Sequence, residues 1–441
     1  MKVLFAAIGK PGFNTDLAKK LYDESVSRIQ SRDWQIAGCG ELISDPDKAE
    51  EIARANADAD AVIIQFSTFH DSRFPLNIMK VLNAPLLLWC LPEPVLGGKL
   101  QLNSLTGLNS ATCALSRMKK KYSYVYTLPG AEEAEDVVIW LQTVGSLKKL
   151  RGSVIGRIGS SPPGFFASDA NQIRLLDRFG VKVDSVDLSG IFEKSGEIKE
   201  EEVTRFIAEE GKKTGGLDKL DPEQVRKSTR VTLALKELVK EKNYNSVALR
   251  CWPEFVRDYK AVVCHSMSHL ADTGIPSACE SDILGSATML LENYLSGGGA
   301  TFLGDLVHVD SAKNSAIFWH CGFGPLSLAS KKTGPVAGLQ PNRNIGWALD
   351  NSLRGGPVTI ARIGQTETDY RLLVLSGEAV DVPNPFTGVS VEVRFQSDVR
   401  KLLDTVIYEG YEFHYAIVWA DIVKHLQYAG RILGIPLEYI K

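Results

Sequence analysis

Short, continuous apolar runs alternate along this chain with stretches whose apolar residues recur every three to four positions. Residues 3–8, 61–66 (AVIIQF) and 85–89 (PLLLW) read as strands, and residues 16–32 and 74–82 as helices. In the first helix Ala18, Leu21, Tyr22 and Ile29 fall on one side. Strands apolar on both faces and separated by helices build parallel sheets covered on both sides. An α/β domain with an open doubly wound sheet is therefore predicted over 1–147.

A second series of the same kind is predicted over 148–332. It contains helices over 171–179 and 228–242, the latter with Val231, Leu235, Leu238 and Val239 at offsets of four, seven and eight residues, and a strand over 246–252. Residues 281–295 form another helix, capped by Ser281 or Asp282 and striped by Ile283, Leu284, Ala287, Leu290, Leu291 and Tyr294. Three glycines at 297–299 end it, and a strand begins at 300. From about Gly334 the texture becomes β-rich: VTIARIG, DYRLLVLSGEAV and VSVEVRF are separated by Gly, Pro and Asn. An antiparallel, barrel-like domain is predicted over 333–441, with a helix at 420–429 and a strand-like tail, IPLEYI.

Composition narrows the function. With 441 residues, 44% apolar and 23% charged, the chain can bury a large core without disulfides. Basic and acidic residues number 50 and 53, so no broad cationic field is available for a nucleic-acid backbone. The seven cysteines are odd in number, scattered and without a CxxC pair, which points to a reducing compartment and away from a Cys-ligated zinc. The apolar start MKVLFAAIG passes at once into polar sequence and reads as a buried strand, not a secretory leader. No window is apolar enough to span a membrane, so a cytoplasmic protein is expected.

Several catalytic classes lack their signatures. Gly156, Gly159 and Gly164 have neither the dinucleotide spacing nor a Walker lysine. No GxSxG elbow occurs, and His265 and His269 in CHSMSHL lack the glutamate of HExxH, so a pocket-wall or surface role is expected for both.

Polar residues interrupting otherwise buried stretches are better candidates. Glu280 in IPSACESDILG stands at a strand-to-helix junction, and Asp305 in TFLGDLVHVD follows an apolar run, with Gly304 removing bulk beside it. If both runs are parallel strands of one sheet, the two carboxylates lie near strand carboxyl ends, where open α/β sheets bind ligands. His320 in AIFWHCGFGP and His414 in YEFHYAIVW each offer an imidazole. Two carboxylates and an imidazole suit Mn²⁺, Mg²⁺ or a similar divalent ion.

The segments CESDILGSATMLL and WHCGFGP, with the strand ending at Asp305 between them, resemble L-fucose isomerase and its relatives, which include the L-arabinose isomerases. LPEP at 91–94, NSLTG at 103–107 and the β-rich tail extend the resemblance over most of the chain. It implies an aldose–ketose isomerase in which Glu280, Asp305 and His414 bind Mn²⁺, with Mg²⁺ or Co²⁺ as substitutes, although the flanking FHYA lacks the paired histidines common in relatives. His320 then either coordinates the ion or holds a substrate hydroxyl. Glu280 and Asp305 would also move the proton between neighbouring sugar carbons through a cis-enediol. A homo-oligomer, trimer or hexamer, is implied.

Substrate contacts are expected from His320, Trp89, Arg250 and Trp347. Trp252 and Trp319 can stack on a sugar or fill cores, and Arg250, Lys260 or Arg343 can pair with an anionic group on it. The substrate is a monosaccharide or a sugar derivative. Two alternatives stay open at this point: a metal-dependent aldolase or epimerase, and a non-catalytic sugar-binding protein.

Overall fold

The computed structural model describes residues 1–31, 33–38 and 40–441. Arg32, the last residue of the helix predicted over 16–32, and Cys39 lie outside the described residues; the helix is observed over Thr15–Ile29. The chain forms two compact units, one of Met1–Ser146 with Lys424–Gly434 and one of Leu147–Val423 with Ile435–Lys441.

The first unit is built on a parallel sheet in the order Gln35–Ala37, Lys2–Ile8, Ala61–Phe66, Leu86–Cys90, Ser123–Tyr126. Its central strands are buried almost throughout because helices cover both faces, as their unbroken apolar runs require. Helix Thr15–Ile29 starts where the Asn14 side chain accepts the Leu17 amide, and it buries Ala18, Leu21, Tyr22 and Ile29.

The second unit holds the two-stranded hairpin of Ala337–Gln340 with Ile345–Leu349 and two larger sheets. One is parallel, in the order Lys182–Val186, Val154–Ile158, Ser246–Leu249, Ser277–Cys279. The other has eight strands and is mainly antiparallel; Thr301–Asp310 lies at its centre between Ser315–His320 and His414–Val418. Its long hairpin Gly356–Gln365 and Tyr370–Val380 pairs onward to Val389–Arg394, which itself pairs with Ser315–His320.

Helix Ile283–Leu295 contacts strands of both sheets. Every residue in it except Tyr294 is buried, which explains why it is apolar nearly all round instead of along one stripe.

One sequence expectation is corrected here. Glu280 and Asp305 do not end two parallel strands of one sheet: Ser277–Cys279 is an edge strand of the parallel sheet, whereas Thr301–Asp310 belongs to the antiparallel one. The strand continues seven residues past Leu303 because its outer half, LVHVD, pairs as an antiparallel ladder with Ser315–His320.

Candidate active site

Four short pieces of backbone bring the polar residues together. Asp305 is the register partner of His414 on the adjacent antiparallel strand, and directly opposed residues project from the same face. His414 Nε2 lies 3.4 Å from Asp305 Oδ1. His320 ends the strand on the other side of Thr301–Asp310, and its ring stacks 5.6 Å from that of His414. Glu280 arrives from the other sheet, with Oε2 3.7 Å from His414 Nε2.

Glu280 and Ser281 both adopt left-handed backbone, φ 55° and 57°, immediately after strand Ser277–Cys279. Such conformations cost on the order of 1–3 kcal/mol each for residues with a side chain and persist only when the surroundings fix them. Here the Ser281 hydroxyl donates to the Gly159 carbonyl at 2.9 Å and accepts from Arg157 at 3.2 Å, while Asp282 caps the following helix through the Gly285 amide. The strained turn swings Glu280 away from its own sheet and towards His414.

Asp282 is fully buried and does more than cap. It receives the Arg362 guanidinium at 2.6 Å and lies 2.9 Å from His414 Nδ1. Burial alone would raise this carboxyl, but the Arg362 charge and the His414 contact hold it at about 2. An ionised acid can only accept, so His414 carries its hydrogen on Nδ1 and turns the Nε2 lone pair into the cluster.

His320 is oriented the other way. Its Nδ1 accepts the Cys321 amide at 2.9 Å, and a proton there would instead face the Cys321 sulfur at 3.5 Å. Burial opposes charge on this ring, but the Cys321 sulfur and the Asp305 and Glu280 carboxylates push its pKa up to about 10. With Nδ1 accepting that amide, the neutral ring carries its hydrogen on Nε2.

Asp305, His320 and His414 present ligand atoms within 4.8 Å of one another, a buried Asp/His/His cluster suited to a divalent ion. Asp305 Oδ1, His320 Nε2 and His414 Nε2 are all buried without a hydrogen-bond partner. Unpaired polar atoms are rare inside proteins, and three converging on one point fit a bound cation and its ligands. Burial raises the Glu280 carboxyl above the ordinary range, although His414 and His320 oppose this.

An aromatic wall stands beside the cluster. The Trp252 indole donates to Glu280 Oε1 at 3.2 Å, Phe165 meets Trp252 edge-on at 5.5 Å, and Phe165 in turn meets Phe413 at 5.8 Å. Phe165 and Phe413 carried no signal in the sequence beyond their nearness to GSSPPG and to His414.

The other expected contacts are engaged with other partners. Trp89 is fully buried in the core of the first unit and donates to the Thr127 carbonyl. Trp347 is fully buried against His265, 3.6 Å between ring centroids. Arg250 is held by both carboxylate oxygens of Glu254 at 2.6 and 2.7 Å. His265 and His269 are buried and share Glu210, at 3.4 and 3.5 Å, so neither is a surface residue. The six described cysteines are free thiols. Among the described residues no helix is long and apolar enough to cross a membrane.

Comparison with known proteins adds the family. Residues 328–441 match the L-fucose isomerase C-terminal domain. Sulfoquinovose isomerases of Alkalicoccus urumqiensis and Priestia megaterium are each 36% identical to this chain, over 100% and 99% of it and 100% and 98% of their own lengths. That of Clostridium sp. strain MSTE9 is 31% identical over 99% of this chain and 98% of its own. Over its whole length, therefore, the chain belongs to the family of these sulfoquinovose isomerases, within the wider group of L-fucose isomerase relatives.

Proposed function

We propose that this protein converts sulfoquinovose, an aldohexose bearing a sulfonate on C6, into the corresponding 2-ketose. That it is a metal-dependent aldose–ketose isomerase follows from its family and the buried cluster, and sets aside the aldolase, epimerase and binding-protein alternatives. The choice of substrate rests on the full-length relatives.

The observation that carries the mechanism is the opposite orientation of the two imidazoles. His414 offers a lone pair, so we assign it with Glu280 and Asp305 to the cation; His320 offers Nε2–H, so we assign it to a substrate oxygen. Mn²⁺ is the ion we favour, with Mg²⁺ and Co²⁺ as substitutes, since a mixed carboxylate and imidazole set accepts each of them. When bound, such an ion supplies Lewis acidity to the adjacent carbonyl and hydroxyl oxygens of an open-chain sugar.

Glu280 takes the proton from C2 in this scheme. Burial raises its carboxyl, a bound cation would lower it again, and the Trp252 indole holds Oε1 so that Oε2 faces the cluster. The same proton returns to C1 as the cis-enediol collapses to the ketose, while the C2 hydroxyl proton passes to the C1 oxygen, so hydrogen and redox balance are both internal. Asp305, on the other side of His414 Nε2, holds the opposite flank of the cis-enediol. His320 donates to the oxygen on which charge accumulates. The phenyl and indole faces of Phe165, Phe413 and Trp252 exclude water from the enediol.

We also read the ring of strand pairings in the C-terminal sheet as a barrel, with Asp305 and His414 on adjacent staves, and expect a homo-oligomer. The activity is tested by proton NMR in D₂O with metal-stripped and Mn²⁺-reloaded protein. Ketose formation from sulfoquinovose only after reloading is expected; reloaded, folded protein that leaves sulfoquinovose unchanged would overturn the reading.

A further inference from the structure

The hairpin between Ala337–Gln340 and Ile345–Leu349 carries a guanidinium without a counter-charge. Among the described residues, no carboxylate lies within ion-pair distance of Arg343, and the contact of its Nη1 is the neighbouring Asn342 carbonyl at 3.3 Å. The other arginines near the cluster differ. Arg250 is taken up by Glu254, Arg157 by Asp169 and Arg362 by Asp282.

Arg343 is also well placed. Its guanidinium lies over the Trp252 ring, 5.8 Å from the centroid, while the edge of the same indole donates to Glu280. Trp252, Glu280, Cys321, Gln340, Asn342 and Arg343 line one cavity, on whose wall Glu280 and Arg343 are the charged side chains among the described residues. The same cavity thus meets the carboxylate of Glu280 and an unpaired cation.

The hairpin tip is fixed, which lowers the ordering cost of binding. The Arg343 and Asn344 amides donate to the Gln340 carbonyl at 3.1 and 2.9 Å, the Asn342 amide donates to Gln340 Oε1, and the Gly346 amide donates to Gln224. The side chains of Asn342 and Arg343 remain exposed.

We infer that Arg343 is a specificity-determining residue that receives the anionic group of the substrate, a sulfonate carried away from the carbons that exchange the proton. This rests on the isomerase reading above and names the residue that selects its substrate. A sulfonate stays singly charged at any pH the protein tolerates, and its oxygens match the planar fork of a guanidinium. The Trp252 ring, 5.8 Å away, gives the guanidinium a cation–π contact that leaves its N–H groups free to donate. Asn342 adds an amide donor beside it. The anion is drawn to this end and repelled from Glu280 and Asp305, so one arrangement sets both the preference for a charged sugar and the direction in which it enters.

Alditols test this apart from turnover, since a sugar without a carbonyl cannot isomerise. Calorimetric titration of Mn²⁺-loaded protein with the 6-sulfonated hexitol and with the plain hexitol gives a ratio of affinities. Wild type should favour the sulfonated form, and Arg343→Gln should lower the ratio by about ten- to a hundredfold, the range for a charge-assisted hydrogen bond. Arg343→Lys, which keeps the charge but not the fork, should fall between. An unchanged ratio in Arg343→Gln, or no preference in wild type, would overturn the inference. Should the preference and its loss be observed while sulfoquinovose is not turned over, the anion site stands and the isomerase reading fails.

Discussion

His414 Nδ1 lies 2.9 Å from Asp282 Oδ2, and both side chains are buried. This contact favours a hydrogen on Nδ1 and so leaves the other nitrogen free to ligate a cation. Asp282 touches neither substrate nor ion in the proposed scheme; it acts through His414. Asp282→Asn should therefore weaken metal binding by roughly 10–100-fold, the usual cost of losing a carboxylate behind a ligating histidine. Competition with a chelator measures this directly, and unchanged affinity would remove Asp282 from the positioning role.

The same acid links the site to acid stability. Its pKa is held at about 2, below the ordinary value, so it stabilises the folded state above the unfolded pKa of about 4 and that contribution disappears as the pH falls towards 2. The shift corresponds to about 2 kcal/mol. Asp282→Asn should flatten the acid limb of the unfolding curve as well as lowering stability at pH 7, because Arg362 is left buried with Glu412, 3.6 Å from its Nε, as its remaining counter-charge. A variant with the wild-type acid limb would contradict this.

The two imidazoles should separate in mutagenesis. His414→Gln should lose the ion and turnover together, whereas His320→Gln should keep the ion and lose kcat by about a hundredfold, the scale for a donor to developing oxyanion charge. Metal stoichiometry beside kcat is the measurement. Loss of metal in His320→Gln would make that residue a ligand instead.

For the carboxylates, Glu280→Gln should fold normally and lose at least about a hundredfold in kcat. Asp305→Asn should behave alike with weaker metal retention. Wild-type rates in both would rule out the site.

Glu292 offers a control far from the cluster. It is fully buried within helix Ile283–Leu295, neither oxygen has a hydrogen-bond partner, and burial pushes its carboxyl well above the ordinary range. The folded state then holds a proton that the unfolded chain releases, so stability falls as the pH rises from about 4.5 towards the folded pKa. Glu292→Gln should raise the Tm at pH 8 more than at pH 4. An equal shift at both values would contradict an elevated pKa.

Much of this architecture was legible in the sequence. Unbroken apolar runs such as AVIIQF require strands buried on both faces, and the parallel sheets follow. The helix after Glu280 could be placed because its apolar residues nearly fill its circumference. What could not be read was the sheet to which TFLG belongs, since a short apolar strand looks the same in a parallel or an antiparallel ladder. The convergence of Glu280 with Asp305 therefore had to come from the left-handed turn at 280–281 and the pairing of Asp305 with His414, neither of which has a sequence period. Asp282 was legible as a cap and not as a partner of His414; the available hint was Arg362, one charge inside the apolar run VTIARIG. The sequence favoured Trp89 and Trp347 as substrate contacts, yet Trp252 is the one whose indole reaches Glu280, while Trp89 and Trp347 fill cores.

Crystals grown with Mn²⁺ and measured at its absorption edge test the central assignment most directly. An anomalous peak bonded to Glu280, Asp305 and His414 Nε2, with His320 Nε2 outside ligand distance, is the result predicted. A peak ligated by His320 in place of His414, or no peak between the two carboxylates in an active crystal, would contradict it.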